Sequence, residues 1–500
     1  MSNNLDNRWI SQLREALCDL PDIVAQQDLQ PPGPAMLYVP TSHTKALGLD
    51  TTVVVGMRGA GKSVWTAALF DPDARRMLIQ AGAPQVLERT HVRVGYSVDT
   101  MRGEHPSADV LQNLLGQGYE PRHLWKGVLA RHIADVCELE FPSGNRHREA
   151  VHWVREDPEA FDELLAKGSR KLKDHQENLL VVFDALDTLP GKWEMVRPLA
   201  RGVLEIALAC RSYPNIRLKF FMRPDMEEDP ALFDFRDSSK LLHNRVELTW
   251  RPVDLYGLVF HILTNGNAGA FFRELCKQQE DVYWKIENEV YYLPNYLRGN
   301  EASQRSILVK LSLPYMGTNK RRGYTYTWIP THLADSHGRV APRSLLLALR
   351  EAALLSREQY PEHSFPLHYE AIKKGVAQAS QRRVEELSRE DYPWVQPLLK
   401  ELRGTTVPLS LLEVSERWSS PVLEDVMNIS ENKLPPRRYS SASPENRTIE
   451  LLIDDLEELG VLYRTEDGRI NIPDIFRVGF EIRRKGGVRP PVQRFHKREF

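Results

Sequence analysis

The chain has little that would mark it for an oxidising compartment, a membrane or a purely electrostatic partner. Its 500 residues include only 4 cysteines. Cys18, Cys137, Cys210 and Cys276 lie far apart and form no C-x-x-C pair, which speaks for reduced thiols rather than a disulfide framework or a zinc site. No window approaches the roughly 18 uninterrupted apolar residues of a membrane span. The start, Ser2-Asn3-Asn4, lacks the basic-then-apolar order of a secretory signal, so the expected location is cytoplasmic. A formal charge of −2 gives no global attraction to nucleic acid or anionic lipid, and either would need a local patch. No internal repeat is present. With 42% hydrophobic and 27% charged residues, the composition is that of an ordinary globular protein. The length accommodates about two to four domains.

Against this plain background one octapeptide stands out. Gly56-Met57-Arg58-Gly59-Ala60-Gly61-Lys62-Ser63 matches G-x-x-x-x-G-K-[ST]. The apolar run Thr51 to Val55 before it reads as a buried strand, and Lys62 to Phe70 after it reads as a helix stopped by Asp71-Pro72. A strand, a glycine-rich loop and a helix N-terminus make a phosphate cradle, because the curled backbone points successive N–H groups inward. The nucleotide-binding set is Gly56, Arg58, Gly59, Ala60, Gly61, Lys62, Ser63 and Val64. Lys62 would reach the β and γ phosphates, and the Ser63 hydroxyl would ligate Mg²⁺. The expected cofactors are ATP and Mg²⁺. No guanine-reading N/T-K-x-D signature is evident.

Strands and helices alternate up to about Asn265, which predicts an α/β fold with a mostly parallel sheet. The expected strands are 51–55, 92–98, 178–183, 217–222 and 246–250, with helices over 123–138, 156–176 and 193–210. The chain then turns mainly helical. After Pro393 and Pro408, helices over 409–418, 421–427 and 449–459 precede a hairpin at 461–472, the order of a winged helix. The expected domains are an N-terminal helix and linker (1–40), a P-loop ATPase core (41–265), a helical lid (266–400) and a winged helix with a basic tail (401–500).

Leu179 to Phe183 is an apolar strand ending in Asp184, as a Walker B strand requires, and Asp184 would complete the metal shell. The same position also suits a helix cap. Asp187, a short turn later, is the candidate for orienting the attacking water. Arg223 ends the strand Lys219 to Met222 and could sense the γ phosphate. Arg245 precedes the strand Val246 to Trp250 and could act as a finger in a neighbour's site, or pair with a nearby acid. Arg343, in the first turn of a helix opened by Pro342, could reach the phosphates from the lid.

Together these residues resemble the AAA+/STAND class of P-loop ATPases: Walker A at Gly56 to Ser63, Walker B at Leu179 to Asp184, and the arginines at 223, 245 and 343. The arginine-ended sensor strand is similar to that of NACHT- and KAP-like members. The winged helix is similar to those of STAND proteins and origin-recognition initiator ATPases. One departure is Asp184-Ala185-Leu186-Asp187 where an adjacent acidic pair is usual. The resemblance implies an ATP-hydrolysing switch or remodelling ATPase in a larger prokaryotic complex, with protein partners, self-assembly and a role in defence against foreign genetic elements. The alternative is a DNA-binding ATPase of the initiator or loader kind. Against DNA, the helix before the hairpin carries Glu450, Asp454, Asp455, Glu457 and Glu458, which would repel phosphates in a groove. For it stand two basic stretches: Lys320-Arg321-Arg322 before Tyr324, Tyr326 and Trp328, and a tail through Arg483, Arg484, Lys485, Arg489, Arg494, Lys497 and Arg498. Nucleic acid is therefore the less favoured partner.

Overall fold

Short apolar runs rich in Val, Leu and Phe become the strands of one sheet: β1 (Val53–Val55), β2 (Thr90–Tyr96), β3 (Asn178–Phe183) and β4 (Ile216–Met222), with a brief β5 (Val246–Glu247) at the edge. All pairs are parallel, in the order β2-β3-β4-β1-β5. Parallel neighbours require long crossovers, and helices supply them. Because helices cover both faces, β1 and the Leu179–Phe183 part of β3 read as continuous apolar runs without alternation, whereas β2 alternates through His91 and Arg93. Val53, Val55, Val181 and Phe220 join a layer with the helices Pro121–Val136, His147–Glu156, Pro158–Asp174 and Trp193–Cys210. Val54, Leu180, Val182 and Phe221 join the opposite layer, with Lys62–Phe70 and Pro72–Gln80. β1, flanked by β4 and β5, thus carries the glycine-rich loop from inside an α/β sheet.

The computed structural model describes residues 7–22, 30–99, 103–141, 144, 146–186, 193–278, 283–430 and 434–485. They divide into two compact units, 25–249 and 1–24 together with 250–500. In the first unit, the charged stretch expected as a helix over 156–176 forms the helix Pro158–Asp174, and a separate helix, His147–Glu156, precedes it. Pro158 lacks an N–H and the Asp157 side chain accepts from Ala160 N (3.0 Å), so a new helix begins there.

In the second unit, the N-terminal helix Asn7–Cys18 buries Ile10, Leu13 and Leu17 and packs on the helices Gly269–Lys277 and Pro342–Gln359. Its Arg14, almost wholly buried, donates to the carbonyls of Pro361 (3.2 Å), Phe365 (3.1 Å) and Pro366 (2.9 Å). The helix Pro252–Asn265 also belongs to this unit. A winged helix follows: helices Leu411–Arg417, Ser420–Ser430 and Ile449–Glu458, then antiparallel strands Tyr463–Arg464 and Ile470–Asn471, with Leu409 bridged to Ile470. Ser410 and Glu413 cap its first helix reciprocally. Beyond the wing, the short helix Asp474–Arg477 packs on Tyr369–Glu386, and Arg483–Arg484 runs parallel to Thr406–Val407. Among the described residues, no helix is long and apolar enough to cross a membrane.

Lys219 is fully buried in β4, where the sequence suggests only an apolar strand. Its three N–H donors meet three carbonyls, those of Ala46 (2.6 Å), Gly48 (2.8 Å) and Thr51 (2.7 Å). The ammonium thereby ties the segment leading into β1 to the neighbouring strand. Burial pushes its pKa down to about 7, against the attraction of Asp50. Lys219→Met would strand those carbonyls and cost about 2–4 kcal/mol, to be read as a lower urea midpoint.

Four histidines of the same unit are held neutral by burial. His43 is pushed down to about 4, His132 to about 3, and His147, beside Arg131, to about 4; His105 also falls below the usual range. In the unfolded chain each protonates near about pH 6.5. The unfolded state therefore binds more protons below that pH, and stability falls as pH drops from about 6.5 toward 4. Thermal melts should show a midpoint that decreases over this window, with a shallower decrease in His132→Asn.

Candidate nucleotide site

The loop after β1 starts from a strand held on both sides. Gly56 N donates to Met222 O at the end of β4 (3.0 Å), and Leu248 N, just after β5, donates to Val55 O (2.7 Å). Gly59 (φ +76°) and Gly61 (φ +102°) then take left-handed conformations that a side chain would strain. The helix Lys62–Phe70 begins at Gly61 with no side-chain cap, so its first-turn N–H groups can serve an anion. Lys62 Nζ folds over the loop and donates to Gly56 O (2.7 Å) and Met57 O (3.2 Å). Ser63 is exposed, Arg58, Gly59, Gly61 and Val64 are half-buried, and Ala60 is buried.

Below the loop, Trp65 is buried edge-on to His43, with ring centroids 5.8 Å apart. Its indole N–H has no acceptor among the described residues, and a Cβ on Gly61 would lie 3.7 Å from it. Main-chain donors, one ammonium and an unused indole N–H converge on a loop that contains no acid. That donor set fits a polyphosphate.

The position of Asp184 depends on a glycine far away in sequence. Between Val94 and Tyr96 the register of β2 against β3 slips, and Gly95 falls in the slip. A Cβ there would lie 2.3 Å from the Phe183 ring, so only glycine lets that ring pack. Phe183 also stands edge-on to Trp125 at 5.3 Å. Asp184 N then donates to Tyr96 O (2.9 Å), and the chain turns at Ala185 (φ +59°). The Asp184 carboxylate, 3% exposed, accepts from Ala185 N (2.9 Å). A buried carboxylate and the Ser63 hydroxyl are hard oxygen donors, the chemistry that Mg²⁺ selects. Asp187 lies outside the described residues.

The arginines are all engaged by acids. Arg223, 7% exposed, makes a fork with Asp225 (3.1 and 3.4 Å). Arg245 donates to Glu227 (2.9 Å), which is the salt bridge weighed from the sequence. Both acids lie on one short helix, Pro224–Glu227, so two residues expected to act separately share a support. Arg343 belongs to the other unit and pairs with Glu386 (2.6 Å), which Arg383 also approaches.

Two expectations about nucleic acid change with the structure. The acids of Ile449–Glu458 do not form a bare negative face. Arg464 bridges Asp454 and Glu457, while Arg437 (2.7 Å) and Arg438 (2.8 Å) hold Glu458. Asp455 is buried and caps the helix Arg437–Ser441 by accepting from Arg438 N (2.9 Å) and Tyr439 N (3.1 Å). Burial pushes its pKa up to about 6. The run after Lys320-Arg321-Arg322 is also not an aromatic platform. Thr325–Leu333 is helical, so alternate residues face apart, and Tyr326 is buried, stacked on Tyr256 at 4.4 Å and donating to Gln304 (2.7 Å).

No protein-family model matches the chain, and no curated protein matches it. Among solved structures, it is similar to the Aeropyrum pernix ORC1 protein in complex with DNA, at 15% identity over 96% of each chain, with a TM-score of 0.32. It is similar to the Aeropyrum pernix ORC2 protein with ADPNP and ADP, at 12% identity over 91% of this chain and 93% of that one, with a TM-score of 0.39. It is also similar to Cdc6p from Pyrobaculum aerophilum, at 11% identity over 94% of this chain and 90% of that one, with a TM-score of 0.27. At these identities the likeness is one of fold.

Proposed function

We propose that this chain is an ATP-binding and ATP-hydrolysing switch. The carrying observation is the donor set around Gly56 to Ser63, raised on an inner parallel strand two places along the sheet from β3, whose end carries a buried carboxylate. Main-chain N–H groups and the Lys62 ammonium neutralise the phosphates. Ser63 and Asp184 would hold Mg²⁺, which would supply charge neutralisation at the phosphates. Asp187 orients the water. Arg223 and Arg245 report nucleotide state by exchanging Asp225 and Glu227 for phosphate oxygens, and Arg343 does so from the helical unit. Switches of this kind act through assembly and protein partners. A place in defence rests on the STAND resemblance alone.

A second reading, a DNA-binding ATPase of the initiator or loader type, is favoured by the neutralised acids of Ile449–Glu458. The repulsion anticipated there is largely cancelled by Arg437, Arg438 and Arg464.

Lys62→Ala should weaken Mg-ATP uptake by about 2–5 kcal/mol, thirtyfold or more, in a labelled-nucleotide titration; unchanged uptake would sink the ATP reading. Asp187→Ala should retain uptake and lose turnover in a phosphate-release assay. For the second reading, duplex DNA should bind with an affinity that falls steeply with salt and should raise turnover. A turnover rate indifferent to DNA leaves only the protein-directed switch.

A further inference from the structure

Trp328, from the aromatic run that follows Lys320-Arg321-Arg322, and Arg484 and Lys485, from the start of the basic tail, lie more than a hundred residues apart, yet line one cleft. The cleft, about 450 Å³, lies within the unit that contains the winged helix. Trp328 and His332 project from the helix Thr325–Leu333, Lys373 from Tyr369–Glu386, Arg477 from the short helix after the wing, and Arg484 and Lys485 from the last described strand.

Trp328 and His332, one helical turn apart, stack at 3.8 Å with 21° between their planes. His332 is fixed by a 2.8 Å bond to Trp328 O. Val376, Ala377 and Val478 give the cleft an apolar surface. Four cations line it against one carboxylate, Asp474, and that carboxylate is already engaged. It accepts from Arg477 (2.8 Å) and from Arg484, which sets both guanidinium groups in place. Lys373 pairs with Glu370 (2.8 Å), and Lys485 is exposed and makes no ion pair among the described residues. The surplus is positive, fixed in position, and adjacent to a planar aromatic wall.

We propose that this cleft binds a nucleoside monophosphate unit, with its base against the Trp328–His332 stack and its phosphate among Arg477, Arg484 and Lys485. A space of this size suits one such unit. A duplex offers it no accessible base, whereas a single strand or a free nucleotide does. A plain phosphorylated side chain would leave the aromatic wall unused. The proposal is independent of the phosphate loop, and its failure would leave the ATP reading untouched.

The test uses full-length protein with a dye-labelled oligothymidylate, read by anisotropy, and dTMP as competitor. The expected result is saturable binding that weakens at least tenfold in Trp328→Leu and in Lys485→Glu. In Lys485→Glu the slope of log affinity against log salt should also shrink by about 0.7, as loss of one phosphate contact to a single strand requires. Lys485 is exposed, so its variant keeps the test valid if Trp328→Leu folds poorly. Binding of the strand, displaced or not by dTMP, assigns the unit to a nucleic-acid strand. Binding of dTMP alone, measured by calorimetry, assigns it to a free nucleotide. The proposal is overturned if neither probe binds saturably, or if binding survives both substitutions. Uptake of Mg-ATP is measured in parallel and should be the same in wild type and Lys485→Glu.

Discussion

Gathering enough N–H groups to neutralise a polyphosphate requires a backbone that curls while keeping donors for its ligand. The segment from Gly56 to Lys62 spends one donor on itself, Ala60 N on Met57 O (3.1 Å), and curls from a rigid approach. β1 is three residues long and lies between β4 and β5, with main-chain bonds continuing past its end on both sides. Behind it, the Lys219 ammonium ties the carbonyls of Ala46, Gly48 and Thr51 to β4. A buried ammonium is costly to desolvate, and three short hydrogen bonds offset that cost. The left-handed glycines can therefore hold the loop open while everything beneath it stays still.

The loop, its strand and its helix were legible in the sequence because every requirement there is local. Glycine spacing, an apolar run and a stop at Asp71-Pro72 all fall within about twenty residues. The same holds for β3, whose apolar run ends in Asp184, and for the winged helix, whose order of elements follows from turn residues and helical periodicity. What was illegible depends on partners distant along the chain. Gly95 matters because Phe183 packs on it, and nothing near Gly95 announces that. Lys219 reads only as the start of the strand ending at Met222 until three carbonyls from another segment surround it. The acids of Ile449–Glu458 read as repulsive because Arg437, Arg438 and Arg464 lie off that helix. Alternation after Lys320 suggested an extended platform, but Thr325 to Leu333 can bury Tyr326 and Ile329 only as a helix.

The arginines follow a common pattern. Arg223 and Arg245 flank the helix Pro224–Glu227 and each holds one of its acids, so moving either guanidinium disturbs the same four residues. Arg343 is paired in the same way with Glu386 inside the helical unit. A guanidinium that already has a carboxylate partner exchanges one charge-assisted bond for another, which keeps the energetic difference between its two positions small. Small differences are what a reversible switch needs.

The clasp on the N-terminal helix bears on how the chain is made. The apolar face of Asn7–Cys18 finds its partners in the helices Gly269–Lys277 and Pro342–Gln359, and the buried Arg14 finds its carbonyls only at 361–366. At a ribosomal rate of about 10 residues per second, that interval is on the order of half a minute. Throughout it, the helix has to wait with its sticky side uncovered while the whole 25–249 unit is synthesised and folds in between. The nascent chain therefore keeps an amphipathic segment uncovered over that interval, the kind of segment that chaperones or premature self-association would capture.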